Sequence, residues 1–155
     1  MLFRSYSAYD SNTRMSDLPH FYRPSSSLMW NGKPFQGTDG LRTLVEKMPP
    51  TKHEVQSFDC HPIPGTSYLP YPRIFILNMS VGTQPPSLLL VVAGNVTHGK
   101  GPAGNPPNTH SKTPDGHPRV FSQTFLLAPD PAAPTTKPGE VAKYYISADT
   151  MRFVG

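Results

Sequence analysis

Acid–base chemistry needs a carboxylate and a histidine or tyrosine within hydrogen-bond reach of one another. The strands this sequence predicts offer five such groups: His53, Asp59, Tyr144, Tyr145 and Asp149. His53 and Asp59 stand six positions apart on one predicted strand, which places them on the same face but roughly 20 Å apart. A pair at that distance forms no dyad. Polar residues on strands serve far more often as hydrogen-bonded anchors than as catalysts, so no catalytic residue is expected. The six histidines (His20, His53, His61, His98, His110 and His117) make no metal-ligand pair with a cysteine, and no metal is expected. Cys60 has no base near it in sequence and reads as a buried small hydrophobe. The glycines lack the strand-before, helix-after setting of a phosphate loop, so no cofactor is expected either.

The elements that position these groups follow from composition and periodicity. At 155 residues the chain is one domain's worth, and folding buries about 70% of the surface such a chain exposes. Only 15% of residues are charged and 36% are hydrophobic, which excludes a solvating charged chain, a coiled coil and a membrane bundle. Proline supplies 20 of the 155 residues, against a usual share of about 5%. Because proline lacks a backbone donor and fixes φ, long loops outside helices and central strands must hold most of it. One cysteine allows no internal disulfide and fits a reducing compartment. No apolar run approaches the ~18 residues of a membrane span, so no membrane contact is expected.

Residues 2 to 22 carry apolar and aromatic positions at helical spacing, with Pro19 starting a second short turn. No capping residue precedes Leu2, so this helix is expected to continue from further upstream. Leu28 to Trp30 reads as a short strand, and Asn31-Gly32 as a hairpin turn into KPFQG. Thr38 is expected to cap a helix from Asp39 to Met48 with Leu41, Leu44, Val45 and Met48 on one stripe, ended by Pro49 and Pro50. Four strands follow: His53 to Cys60, Leu88 to Val96, Val120 to Ala128 and Tyr144 to Val154. Helices followed by a run of strands predict an α+β fold, a curved antiparallel sheet with helices packed on one face. Residues 62 to 87 separate two of the strands and include RIFILNMSVG, which either adds an edge strand or rides over the surface. Residues 99 to 118 hold five prolines and four glycines and predict no regular structure.

Four words stand in order along the chain: WNGKPFQG (30 to 37), MPPTKHEVQSFDCHPI (48 to 63), FSQTFLLAPD (121 to 130) and ISADTMRF (146 to 153). Together they resemble the nuclear transport factor 2-like family, over nearly the whole chain except insertions at about 64 to 87 and 99 to 118. The resemblance implies a single cone-shaped domain spanning 1 to 155. Within the family the chain is similar to the small subunit of the heterodimeric nuclear mRNA export receptor of fungal type. The homodimeric carrier of the GTPase Ran is the alternative, but that carrier has an acidic residue after the tryptophan and an acidic loop after the second long strand. Here Asn31 follows Trp30, and the loop begins His98-Gly-Lys100-Gly. Those changes remove the charges that would meet basic residues on the GTPase. A further alternative is a small-molecule isomerase or dehydratase of the same fold.

The strand Val120 to Ala128 alternates, with Phe121, Gln123, Phe125 and Leu127 on one face and Ser122, Thr124 and Leu126 on the other. The aromatic face is expected under the helices. The opposite face, continued by Tyr144, Ile146, Ala148, Thr150 and Arg152 on the last strand, is broad and nearly uncharged, the composition of a partner surface rather than a polar monomer face. LLLVV at 88 to 92 is apolar on both sides, so Leu89 and Val91 join that surface. The resemblance implies that it covers a larger export receptor subunit with its own domain of the same fold. That pair would bind phenylalanine-glycine repeats of the nuclear pore and shuttle between nucleus, pore and cytoplasm. The 99 to 118 loop with Arg119 reads as a solvated insertion; the sharper reading gives it a weak, sequence-independent RNA contact through Lys100, Lys112 and Arg119.

Overall fold

The computed structural model describes residues 2–63, 85–99, 116–133 and 142–154. Helix α1 (Leu2–Asp10) buries Ser5, Tyr6, Ala8 and Tyr9, one stripe of an amphipathic helix. The expected helix over 2 to 22 does not run through. The Ser11 and Thr13 hydroxyls bond to each other and the Thr13 amide donates to Ser11 Oγ, an alternative to the helical ladder. The chain restarts as the short helix α2 (Arg14–Asp17), tightens into a 3-10 turn at Leu18–Phe21 around Pro19, and is extended from Tyr22 onward.

Strand β1 (Tyr22–Trp30) is longer than Leu28 to Trp30 alone, and it turns into β2 (Lys33–Gln36) through Asn31 (φ 45°) and Gly32 (φ 85°). Both central residues are left-handed, the pattern that matches strand twist in a two-residue hairpin. Helix α3 (Gly37–Glu46) begins earlier than expected: its N-cap position is Gln36, and no side chain caps it. Thr38 therefore lies in the first turn. Leu41, Leu44, Val45 and Met48 are buried as their spacing predicts.

Strands β3 (Thr51–Ile63), β4 (Ser87–His98), β5 (Pro118–Pro129) and β6 (Tyr144–Phe153) complete a six-stranded sheet of order β2-β1-β6-β5-β4-β3. The pairs from β3 to β6 are antiparallel, but β1 lies parallel to β6, so the sheet is mixed rather than antiparallel. Pairing between the first and last strands depends on the closed fold, and no local turn signal encodes it. The RIFILNMSVG segment, read as either an edge strand or a stretch riding over the surface, lies outside the described residues. The core sits between one face of the sheet and the helices, with Tyr9, Leu18, Tyr22, Leu41, Phe121 and Phe125 at its centre.

Two bulges change the phase of their strands. In β3, Val55 pairs with Gly94 and Ser57 with Ala93, which leaves Gln56 over. In β6, Ala148 pairs with Leu126 and Ile146 with Leu127, which leaves Ser147 over; its hydroxyl donates to the Leu126 carbonyl at 2.9 Å. The β3 bulge brings the neighbouring backbone close to Gly94, where an added Cβ would lie 2.3 Å from the Glu54 carbonyl oxygen. The obstacle is backbone, so the edge strand β3 would have to part from β4 to accept a methyl group. Gly94→Ala should therefore cost about 1–3 kcal/mol, the usual range for overpacking, read as a lower urea midpoint at unchanged slope. An unchanged midpoint would mean that β3 and β4 do not approach this closely.

Candidate partner face and the buried carboxylate beneath it

One face of the sheet carries the helices, and the other carries the side chains expected to meet a partner. Register sorts them row by row. Ser27, Ala148, Leu126, Leu89 and His61 form one row across five strands, and Met29, Thr150, Thr124, Val91 and Asp59 form the next. Arg152, Ser122, Ala93 and Ser57 form a third. On β4, β5 and β6 these rows hold one charge, Arg152, which is exposed. Val91 is 37% exposed, although Leu90 and Val92 beside it are buried in the core. Seven expected contacts thus share this face: Arg152, Thr150, Ala148, Thr124, Ser122, Val91 and Leu89.

Ile146 and Tyr144 do not join them. Strict alternation puts both on the same face as Ala148, but the extra residue Ser147 inverts the phase below it. Ile146 is consequently buried in the core at 1% exposure, and Tyr144 packs against the core and donates from its hydroxyl to the Pro86 carbonyl at 3.0 Å. Tyr145 takes the outer position instead, 5.5 Å beneath the Arg23 guanidinium. Arg23 is itself paired with Asp130, whose carboxyl that guanidinium holds below the usual carboxylate range.

The Gln56 bulge has the same effect on His53 and Asp59. They fall on opposite faces rather than one, and His53 turns inward to Asp10 at the end of α1. The Asp10 carboxylate accepts from the His53 amide at 2.8 Å and lies 2.6 Å from His53 Nδ1, with the Thr51 hydroxyl donating at 2.9 Å. Burial pushes the Asp10 carboxyl up, but these bonds outweigh it and leave the group below its ordinary value. The pair fastens α1 to β3. Cys60 is exposed near the far end of β3, where a buried hydrophobe was expected. Lys100 and Lys112 lie outside the described residues. Arg119 belongs to β5 rather than to a loop, with its guanidinium 3.8 Å from the Phe153 ring centroid.

Beneath the outer rows lies a polar cluster that sequence reasoning missed. Asp149 is 3% exposed and accepts from the Tyr22 hydroxyl at 2.7 Å and from Gln123 Nε2 at 2.8 Å. The Tyr6 hydroxyl donates to Gln123 Oε1 at 2.9 Å, and the Tyr9 hydroxyl lies 3.1 Å from that of Tyr22. The Tyr9 hydroxyl is thus in reach of both the Tyr22 oxygen and the Asp149 carboxylate. No buried side-chain nitrogen or oxygen among the described residues lacks a partner. Three tyrosine rings fill the space over the carboxylate. What signal there was lay in Gln123 and Asp149 at inward positions of otherwise apolar strands.

The model of the family described as nuclear pore RNA shuttling protein Mtr2 matches residues 1–72. An NTF2-related export protein of Caenorhabditis elegans is 28% identical over 134 residues, covering 86% of this chain and 69% of that protein. Among solved structures, the Candida albicans Mtr2-Mex67 M domain complex contains a chain that superposes with a TM-score of 0.60 at 15% identity, over 98% of this chain and 90% of that one. Nuclear transport factor 2 of Cryptosporidium parvum superposes with a TM-score of 0.62 at 20% identity, over 99% and 88%. The chain has the fold of nuclear transport factor 2, and its first 72 residues are similar to the Mtr2 family. On the core side of this sheet the tyrosines from α1 and β1 gather over a buried carboxylate that accepts from Gln123 and Tyr22.

Burial pushes the Asp149 carboxyl up from 3.8 to about 6, and the bonds from Gln123 and Tyr22 only partly offset that. Unfolded, the group is ionised above pH 4; folded, it keeps its proton until about pH 6. The folded state therefore binds the extra proton in that window, and stability must fall as pH rises through it. The full effect is roughly 3 kcal/mol at about 1.4 kcal/mol per pH unit. Asp149→Asn has no charge to bury, so the wild type should lose stability relative to this variant between pH 4 and 6, as read by urea denaturation at both ends. Parallel pH profiles for the two proteins would remove the buried carboxylate from this role.

Proposed function

We propose that the chain is a non-enzymatic adaptor, the small subunit of a heterodimeric mRNA export receptor, acting in transport between nucleus and cytoplasm. The observation that carries this is the outer sheet face: three rows across β4, β5 and β6 with a single charge, where a solvated sheet would alternate with charged residues. The Candida albicans structure pairs Mtr2 with the Mex67 M domain, and a Chaetomium thermophilum structure pairs Mtr2 with the Mex67 NTF2-like domain. A larger subunit with a sheet of the same kind is the partner that fits this face. Its role is structural: it is covered, stabilised, and held in register by Arg152. Engagement of phenylalanine-glycine repeats, and residence at the nuclear pore, belong to the pair. The whole chain is read as one domain, with 64 to 87 and 99 to 118 as insertions.

Arg152 is the contact most open to test. Its neighbours on the outer face of β5 and β6 are Ser122, Thr150 and Thr124, none of which is acidic. An arginine desolvated by a partner needs a carboxylate there, and once paired it fixes register. Arg152→Glu should reduce recovery of the larger subunit in a pull-down at least tenfold, whereas Arg42→Glu, exposed on the helix α3 side, should leave it unchanged. Equal recovery with both variants would overturn the assignment of this face.

The RNA contact is a weaker extension of the same reading. Arg119 is engaged with Phe153, so phosphate contact would fall mainly to Lys100 and Lys112. Deleting residues 100 to 117 should leave the heterodimer intact and lower its RNA affinity at low salt, with a shallower salt dependence. Unchanged affinity and salt slope would assign RNA binding entirely to the larger subunit.

A further inference from the structure

The outer face of the sheet carries a second charge, on β3, for which the described residues supply no partner. Thr150, Thr124, Val91 and Asp59 lie side by side from β6 to β3, and Arg152, Ser122, Ala93 and Ser57 fill the next row. Asp59 is therefore three strands and one row away from Arg152. At about 4.8 Å per strand and about 3.4 Å per residue the separation is roughly 16 Å, too far for the two to meet. Asp59 is exposed, and among the described residues its side chain makes no hydrogen bond or ion pair. The other acid of β3 on this face, Glu54, differs in having a cation beside it, the Lys52 ammonium at 3.8 Å. The bulge decides where Asp59 points. Without the extra residue Gln56, the phase of β3 would turn Asp59 to the core side and Phe58 outward.

Two charges constrain a second sheet in a way that one does not. Paired at Arg152 alone, that sheet is fixed at a point but free to rotate about it, and face-to-face sheets pack both nearly aligned and nearly orthogonal. A second ion pair of opposite sign, roughly 16 Å away, fixes the angle and penalises the reversed orientation, which would bring like charges together. The footprint reaches that far. A standard interface takes about 800 Å² from each partner, whereas β4 to β6 form a strip only about 10 Å wide between their outer strand axes, so the covered area has to extend over β3. Stacked sheets lie about 10 Å apart, and aspartate has a short side chain. The group that meets Asp59 must cross most of that gap on a long stem, and lysine and arginine combine such a stem with a positive charge.

We propose that Asp59 is the second charged anchor of the sheet interface, receiving a lysine or arginine of the larger subunit while Arg152 receives a carboxylate. The inference rests on the heterodimer reading above. It adds what that partner must present on its own sheet: an acid and a base set roughly 16 Å apart, with uncharged groups between them to meet Val91 and Thr124.

The full chain co-expressed with the larger subunit tests this. Asp59→Lys should lower recovery of the larger subunit at least tenfold and Asp59→Asn severalfold, both at an unchanged melting temperature, while Asp59→Glu should recover it nearly as well as the wild type. Glu46→Lys, the same charge change at an exposed position of helix α3, should have no effect. Reversing the lysines and arginines on the outer sheet face of the larger subunit one at a time should identify one whose change to glutamate restores recovery with Asp59→Lys. Full recovery with Asp59→Lys beside a loss with Arg152→Glu would overturn the proposal and leave the sheet assignment standing; full recovery with both variants would overturn the two together. A reversal series in which no basic residue restores Asp59→Lys would also sink the proposal. So would a chain that, purified without the larger subunit, forms a dimer abolished by Asp59→Lys, because the base facing Asp59 would then belong to a second copy.

Discussion

The hydrogen-bonded chain that ends on Asp149 is the constraint around which this structure is arranged. It gathers groups from α1, from the start of β1 and from β5 and β6: Tyr6 and Tyr9, Tyr22, Gln123 and Asp149. Burying a carboxylate without partners would cost several kcal/mol, so each donor has to arrive with its geometry intact. That requirement fixes where α1 lies on the sheet. It also ties the first strand to the last, and Leu28 lies opposite Asp149 in the parallel β1–β6 pair. Four elements, α1, β1, β5 and β6, thus converge on one acid, which an apolar residue of the same volume could fill without specifying any of it.

The same cluster bears on chemistry. A cone-shaped α+β fold has an interior able to hold a substrate, and an acid with a raised pKa inside it is the usual sign of a catalytic group. Here that acid has both oxygens occupied and three tyrosine rings over it. A functional carboxylate faces a ligand, whereas each oxygen of Asp149 accepts a hydrogen bond from within the core. The magnitude of the pKa shift does not separate the two cases. What the hydrogen bonds do show is a tie between strands: Asp149 on β6 joins Tyr22 on β1 and Gln123 on β5.

Periodicity made most of the elements legible. The stripe of α3, the Asn31-Gly32 hairpin and all four long strands follow from spacing of two or three to four residues and from proline stops. The core face of β5 followed from alternation alone, as did the outward placement of Leu89, Val91, Ser122 and Thr124. The misses share one cause. Alternation assumes an unbroken ladder, and a bulge adds one residue without any residue type that announces it. Ser147 moved Tyr144 and Ile146 into the core, and Gln56 separated His53 from Asp59. Partners remote in sequence were equally silent, because Asp10 with His53 and Tyr22 with Asp149 meet only in the closed fold.

Bulges also bear on how the two faces are used. A regular β6 would carry Tyr144 and Ile146 outward, adding two large apolar groups to a face already short of charge and leaving the core beside Tyr22 unfilled. With the phase inverted at Ser147, the lower half of β6 supplies the core and the upper half presents Ala148, Thr150 and Arg152. The outer face is left with uncharged side chains of modest size along β4 to β6 in its middle rows, where under the proposed reading a second sheet would approach and Arg152 would set its register. Close approach and register are separate requirements: the first rejects bulk, the second needs a charge that is costly to bury in the wrong place. Under that reading a single inserted residue in the last strand would serve both, and it is what keeps Ile146 in the core while Ala148 and Thr150 face out.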